Sequence, residues 1–163
     1  MTETEPADAA DSLNSADASA VSLRTRLRET FWRRHSNPWS AGTRFVVTPV
    51  LMYAIYHRKW RLLAAVVAFT TVNPVLFGEP ERTDNWFSEV VLAEEAWLGE
   101  GKGTTGFGYP NVLNAVNAVS GVLALVSAIR RKPVGTVVGT AGILVFKTWW
   151  VEAIRRRTGV SER

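Results

Sequence analysis

Apolar positions in this chain gather into four long runs, separated by short arginine-rich stretches and by one acidic stretch. Ahead of the runs, Leu23, Leu27 and Phe31 recur every four residues with arginines between them, the period of one helical face. The pattern predicts a basic amphipathic helix from Ser22, whose hydroxyl is placed to cap it. Its apolar stripe faces either a membrane surface or the rest of its own domain. The helix must end before Pro38, because a residue preceding proline is pushed out of the α region.

The first run, 45–56, has about 12 residues, and at about 1.5 Å each it falls well short of a hydrocarbon core of roughly 30 Å. The second, 62–77, is longer and starts at Trp60 and Arg61, which suit an interface. The third, Asn111–Ile129, approaches the roughly 20 residues of a full span. The fourth, 134–154, has the length only if Lys147 and Glu152 are accommodated. Lys147 can snorkel, beside Trp149 and Trp150 as part of an aromatic belt. Pro49 and Pro74 are expected to kink or end their helices. Between the second and third runs, Glu79, Glu81, Asp84, Glu89, Glu94, Glu95 and Glu100 face only Arg82 and Lys102. Within that stretch 86–98 reads as a helix capped by Asp84 or Asn85, and 99–110 as a flexible glycine-rich loop.

Composition changes this picture in one respect. Hydrophobic residues make up 47% and charged residues 21% of the 163, averages that look soluble only because the charge is segregated. Residues 1–20 hold five acids, no base and no aromatic residue, and are read as a disordered acidic tail. A single helical membrane domain is expected over 21–157, with 158–163 a flexible C-terminus. The fold class is therefore all-α: about four membrane-embedded helices plus interfacial amphipathic helices. The chain lacks cysteine, which excludes disulfides, thiolate metal sites and thiol nucleophiles. The N-terminus lacks the basic and apolar regions of a cleaved signal peptide.

The net charge of +4 does not point to nucleic acid, because the cations cluster beside apolar runs and no nucleic-acid recognition motif is present. The partner implied is the lipid bilayer, with Arg24, Arg28, Arg33, Arg34, Arg130, Arg131, Arg155 and Arg156 placed to contact headgroups. If all four runs span, the termini and the acidic loop share one side. If the first and fourth are re-entrant or interfacial, every basic cluster falls on one side and only the acidic loop is outside. Either way a multi-pass protein of the cell membrane is expected, with cytoplasmic termini.

Some polar residues stand out against this background. Asn111, Asn114 and Asn117 line one face of the third helix, where an amide must find a partner, either on another helix or along a polar path. Gly135 and Gly139 have the spacing that lets helices approach closely, within the chain or toward a homo-oligomer or membrane partner. Glu94 falls on an otherwise apolar helical face, and Lys147, also among apolar neighbours, is its candidate partner. His35 and His57 are the only histidines, too few for a helical metal pair. Gly101-Lys102-Gly103-Thr104 lacks the hydroxyl residue directly after lysine, and the preceding strand, that a phosphate loop needs. No catalytic, cofactor-binding or metal motif is present, and no cofactor is implied.

Three segments taken in order carry a resemblance: His35 to Ser40 (HSNPWS), Asn73 to Phe77 (NPVLF) and Lys147 to Trp150 (KTWW). Over about residues 33–157 the chain resembles a family of small uncharacterised prokaryotic membrane proteins. The resemblance implies a membrane location and assigns no activity or site residue.

The reading favoured is a structural or interaction protein, a bundle that binds a partner or itself within the membrane. The alternative is a small transporter or channel component with a polar path lined by Asn114, Asn117, Glu94 and Lys147. A membrane-bound enzyme acting on lipid, with His35 or Glu94 as base, and a soluble helical domain are the remaining alternatives.

Overall fold

The computed structural model describes residues 21–27 and 29–159, except for the side chains at 74 and 75, and all regular structure among them is helical. The expected acidic tail, Arg28 and residues 160–163 lie outside the described residues. Helical residues 21–27 and 29–35 lead to five helices: α1 Pro38–Tyr56, α2 Trp60–Leu76, α3 Trp86–Gly99, α4 Asn111–Ile129 and α5 Pro133–Thr158. Ser22 already lies inside the first helical segment, so it does not cap it.

Helix α1 begins seven residues before the expected run. Asn37 is its N-cap, its Oδ1 accepting from the Trp39 amide at 2.9 Å, and Pro38 follows at the first turn. A fixed φ and a missing N–H cost nothing there. With 19 residues, α1 reaches about 28 Å rather than the roughly 18 Å of its apolar part. It continues past Pro49, and the α2 backbone runs through position 74 to Leu76, so neither proline ends its helix. Of the two caps expected for α3, Asn85 is the one used: its Oδ1 accepts from the Ser88 amide at 3.0 Å, while Asp84 pairs with Arg82. Helix α5 runs to Thr158 and is closed by Gly159 at φ 62. The start of the expected flexible C-terminus is therefore helix and cap.

Helices α1/α2 and α4/α5 form two hairpins with the same turn. Arg58 and Arg131 adopt positive φ, 56° and 51°. The Lys59 amide reaches back to the Ala54 carbonyl, and the Lys132 amide to that of Ser127. This is the six-to-one closure of a Schellman motif, with arginine where glycine is usual. An Arg58 Nη2 bond to the Ile129 carbonyl, 2.9 Å, brings the two turns together. At the opposite end Asn37 bonds the Gly78 carbonyl, Ser88 bonds that of Ser36, Trp86 bonds Glu152 and Arg157 bonds that of Tyr109. The basic clusters thus divide between two ends, and residues 33–37 and 152–157 share one of them with the acidic stretch.

Helices α4 and α5 are the most closely packed pair. A Cβ on Gly139 would stand 2.5 Å from the Ala124 amide nitrogen, and one on Gly135 would collide with Ser127. Contact between copies through Gly135 and Gly139 would therefore require α4 to leave. The larger core cluster, including Ala41, Val90, Val91, Trp97, Leu113, Trp150 and Ile154, sits toward the end holding α3, and a small one of Met52, Ala124 and Ala128 lies near the turns. Elsewhere apolar side chains face outward, among them Val46, Val67, Val119, Val122, Val137 and Val145. Among the described residues two helices, α4 and α5, are long and apolar enough to cross a membrane, whereas in α2 the apolar helix Trp60–Asn73 is shorter.

A polar cavity between four helices

The site begins with α3, the amphipathic helix of the acidic stretch. Its start is clamped to α5: Arg155 donates through Nε and Nη2 to both Glu152 oxygens at 2.9 and 3.0 Å, and through Nη1 to Glu89 at 2.7 Å. Trp86 Nε1 donates to the same Glu152 carboxylate at 3.0 Å, and Arg156 adds another bond at 2.7 Å. Arg155 therefore turns inward, with a side chain 18% exposed, and its charge is spent on carboxylates rather than headgroups. Arg24, Arg34, Arg130 and Arg131 are exposed, and Arg33 is held by Glu79 at 2.7 Å.

Beyond the clamp, α3 leaves a cavity of about 320 Å³ against α1, α4 and α5. Its lining includes the charged groups of Arg44, Glu94 and Lys147 and the amide of Asn117, with the Thr48 hydroxyl turned back to the Arg44 carbonyl at 3.2 Å. The pair expected from the apolar surroundings of its two members is present: Lys147 Nζ lies 3.4 Å from Glu94 Oε1 and 4.2 Å from the Trp150 ring centroid. The ammonium thus has a carboxylate on one side and an aromatic face on another. Asn117 Oδ1 is buried and accepts no hydrogen bond, the one such side-chain atom among the described residues. A buried amide oxygen in that state is unusual.

Arg44 has no counterpart among the candidate residues read from the sequence. Its Nη2 donates to Ser40 Oγ at 3.0 Å, Ser40 donates to Asn73 Oδ1 at 2.8 Å, and Asn73 donates to Thr43 Oγ1 at 2.9 Å. Ser40 and Asn73 are buried, so this chain joins α1 to α2 and fixes the guanidinium from behind. His35 approaches from the N-terminal helical segment, with both ring nitrogens within 2.8 Å of Arg44 nitrogens. A neutral imidazole has one accepting nitrogen, so only one of these contacts is a hydrogen bond. Burial, then Arg44, then Lys147 push the His35 pKa down to about 4, which keeps the ring neutral and able to accept.

The other two asparagines serve a different purpose. Asn111 Nδ2 donates to the carbonyls of Gly103 and Thr105 at 3.0 and 3.1 Å, and Asn114 Nδ2 to that of Thr104 at 2.9 Å. Trp97 Nε1 adds a bond to the Gly103 carbonyl at 3.0 Å. These donors tie down the glycine-rich loop expected to be flexible, because its carbonyls would otherwise be left unpaired beside the core. Asn114 therefore stays at the loop, while Asn117 reaches the cavity with Glu94 and Lys147. His57 is held between Tyr53 and Tyr56, with ring centroids 4.4 and 5.0 Å away. Among the described residues no group of three or more His, Asp or Glu is placed to hold a metal ion.

The chain belongs to DUF6653, a family of unknown function, whose model matches residues 16–156. No curated protein and no solved structure matches the chain.

Proposed function

We propose that this member of a family of unknown function is an integral membrane protein of four embedded helices that works by binding within the bilayer. The observation that carries the reading is the outward apolar surface. The apolar stretches of α4 and α5 are only 28% and 22% buried, whereas a soluble protein encloses its most apolar helices. The six cations of the two turns, Arg58, Lys59, Arg61, Arg130, Arg131 and Lys132, border these faces where a headgroup layer would lie. Helices α1 and α2, at about 28 and 25 Å, come close to the same thickness. The cavity's donors and acceptors suit recognition of a charged or polar group. A continuous path is less well supported, since Asn114 is committed to the loop.

If all four helices cross, the termini lie on the side of the acidic stretch, where lysine and arginine outnumber those at the turns, which favours cytoplasmic termini. The absence of cysteine makes this directly testable. Carbonate washing of membranes should leave the protein in the pellet. Lys59→Cys and Lys132→Cys should react with an impermeant maleimide in intact cells, and Thr104→Cys only after permeabilisation. Release into the supernatant would end the membrane reading, and labelling of Lys59→Cys and Lys132→Cys from opposite sides would end the four-helix topology.

A further inference from the structure

We propose that the cavity holds the head of an anionic acyl lipid, its oxyanion between Arg44 and Lys147 and its chain in the seam between α1 and α5. The inference rests on the membrane reading above and names the ligand class for that site.

Charge sets the head. Arg44 and Lys147 supply two positive charges and Glu94 one negative, so the lining favours a single anion. Donors remain to bind it. Arg44 has five N–H groups, of which one goes to Ser40 and one to His35, and a guanidinium fork suits a carboxylate or phosphate oxygen pair. Lys147 makes one long contact to Glu94, leaving the rest of its ammonium for the ligand. Asn117 Oδ1, buried and unpaired, offers an acceptor to a hydroxyl on the same head. In surroundings this apolar, a bound anion is screened far less than in water.

The seam sets the tail. Leu144 lines the polar cavity and two apolar hollows beside it. One continuation, along Pro49, Met52, Tyr53, Thr140 and Ala141, runs toward the turns and is edged by Pro133. From Lys147 to Pro133 the seam follows α5 for roughly 20 Å, longer than the roughly 15 Å that one acyl layer occupies in half a bilayer. A water-soluble anion would leave that surface unfilled.

Thermal unfolding of the full chain in a neutral detergent, with added lipid, tests the proposal. Phosphatidylglycerol should raise the midpoint, while phosphatidylcholine, phosphatidylethanolamine and inorganic phosphate at equal concentration should raise it much less. Lys147→Met should weaken the apparent phosphatidylglycerol affinity about tenfold, the loss expected for one charged hydrogen bond. Leu144→Trp, which fills the seam without touching a charge, should weaken it similarly. Arg130→Gln with Arg131→Gln should leave it in place. Equal shifts with phosphatidylcholine, a full shift with phosphate alone, or loss of the shift only in the Arg130/Arg131 variant would overturn the site. Arg44→Gln is the direct head variant, but its ties to Ser40 and His35 put folding at risk, so Lys147→Met and Leu144→Trp carry the decision. Carbonate resistance without a selective shift would refute the lipid site and leave membrane insertion standing.

Discussion

Gly139 on α5 lies directly against the backbone of Ala124 on α4: a Cβ at that glycine would stand 2.5 Å from the Ala124 amide nitrogen and 2.7 Å from its Cα. Backbone cannot swing aside as a side chain can, so the two helices would have to separate. Gly139→Ala should destabilise the protein by about 1–3 kcal/mol, the usual cost of overpacking a tight contact. Gly121→Ala, on α4 where a Cβ meets nothing within 4 Å, should be neutral or mildly stabilising, since a helical glycine costs up to about 1 kcal/mol relative to alanine. Equal effects of the two, read as unfolding midpoints in detergent, would mean the α4/α5 contact is not tight.

The contact between Glu94 and Lys147 joins α3 to α5 in the wall of the cavity. At 3.4 Å, with side chains 24% and 42% exposed, it is neither buried nor fully screened. A double-mutant cycle of Glu94→Gln and Lys147→Met should give a coupling energy of about 0.5–1 kcal/mol. A coupling indistinguishable from zero would show that each charge is held by its own surroundings, Lys147 by Trp150 foremost.

These two contacts also show what was legible beforehand. The glycine spacing and the lone charges at Glu94 and Lys147 stand out because each breaks an apolar pattern on a predicted helix. Asn111–Ile129 was legible to its ends because no charge interrupts it. Arg44 hid the first turns of α1, since a charge ends an apolar run by eye although Asn37 and Pro38 already announced a helix start. Ser40 and Asn73 were illegible as a pair: they are 33 residues apart, and neither has meaning until the α1/α2 hairpin places them in contact. The turns were hidden for a local reason, because Arg58 and Arg131 take the left-handed conformation that glycine usually marks.

The His35 ring makes stability depend on pH. Arg44 on α1 contacts it, Lys147 on α5 is close enough to act on it, and Phe31 stacks on it at 5.0 Å. Its pKa falls from the ordinary 6.5 to about 4 in the folded protein, so between those values the unfolded chain binds the proton and the folded chain does not. Stability should therefore fall as pH drops from about 6.5 toward 4 and level off below. The ring is partly exposed, so the total change should be on the order of 1 kcal/mol. His35→Gln, which keeps an acceptor for Arg44 and cannot titrate, should flatten that part of the stability profile. An unchanged slope would assign the acid sensitivity to the carboxylates.

Arg155 should prove the most sensitive charged position outside the cavity. One guanidinium satisfies Glu89 and both oxygens of Glu152, and Glu152 in turn accepts from Trp86 and Arg156. Arg155→Leu would leave two carboxylates facing each other on α3 and α5. Partial exposure lets water relieve some of that repulsion, so the expected cost is about 2 kcal/mol rather than the 3–5 of a fully buried pair. Arg155→Lys should recover part of it, because an ammonium cannot bridge Glu152 bidentately while reaching Glu89. The loss should appear first in α3, whose start depends on this clamp, as faster amide exchange over 86–99 and easier cleavage in the preceding 78–85 connection. Uniform exchange acceleration through α4 and α5 as well would show that Arg155 supports the whole bundle instead of seating α3.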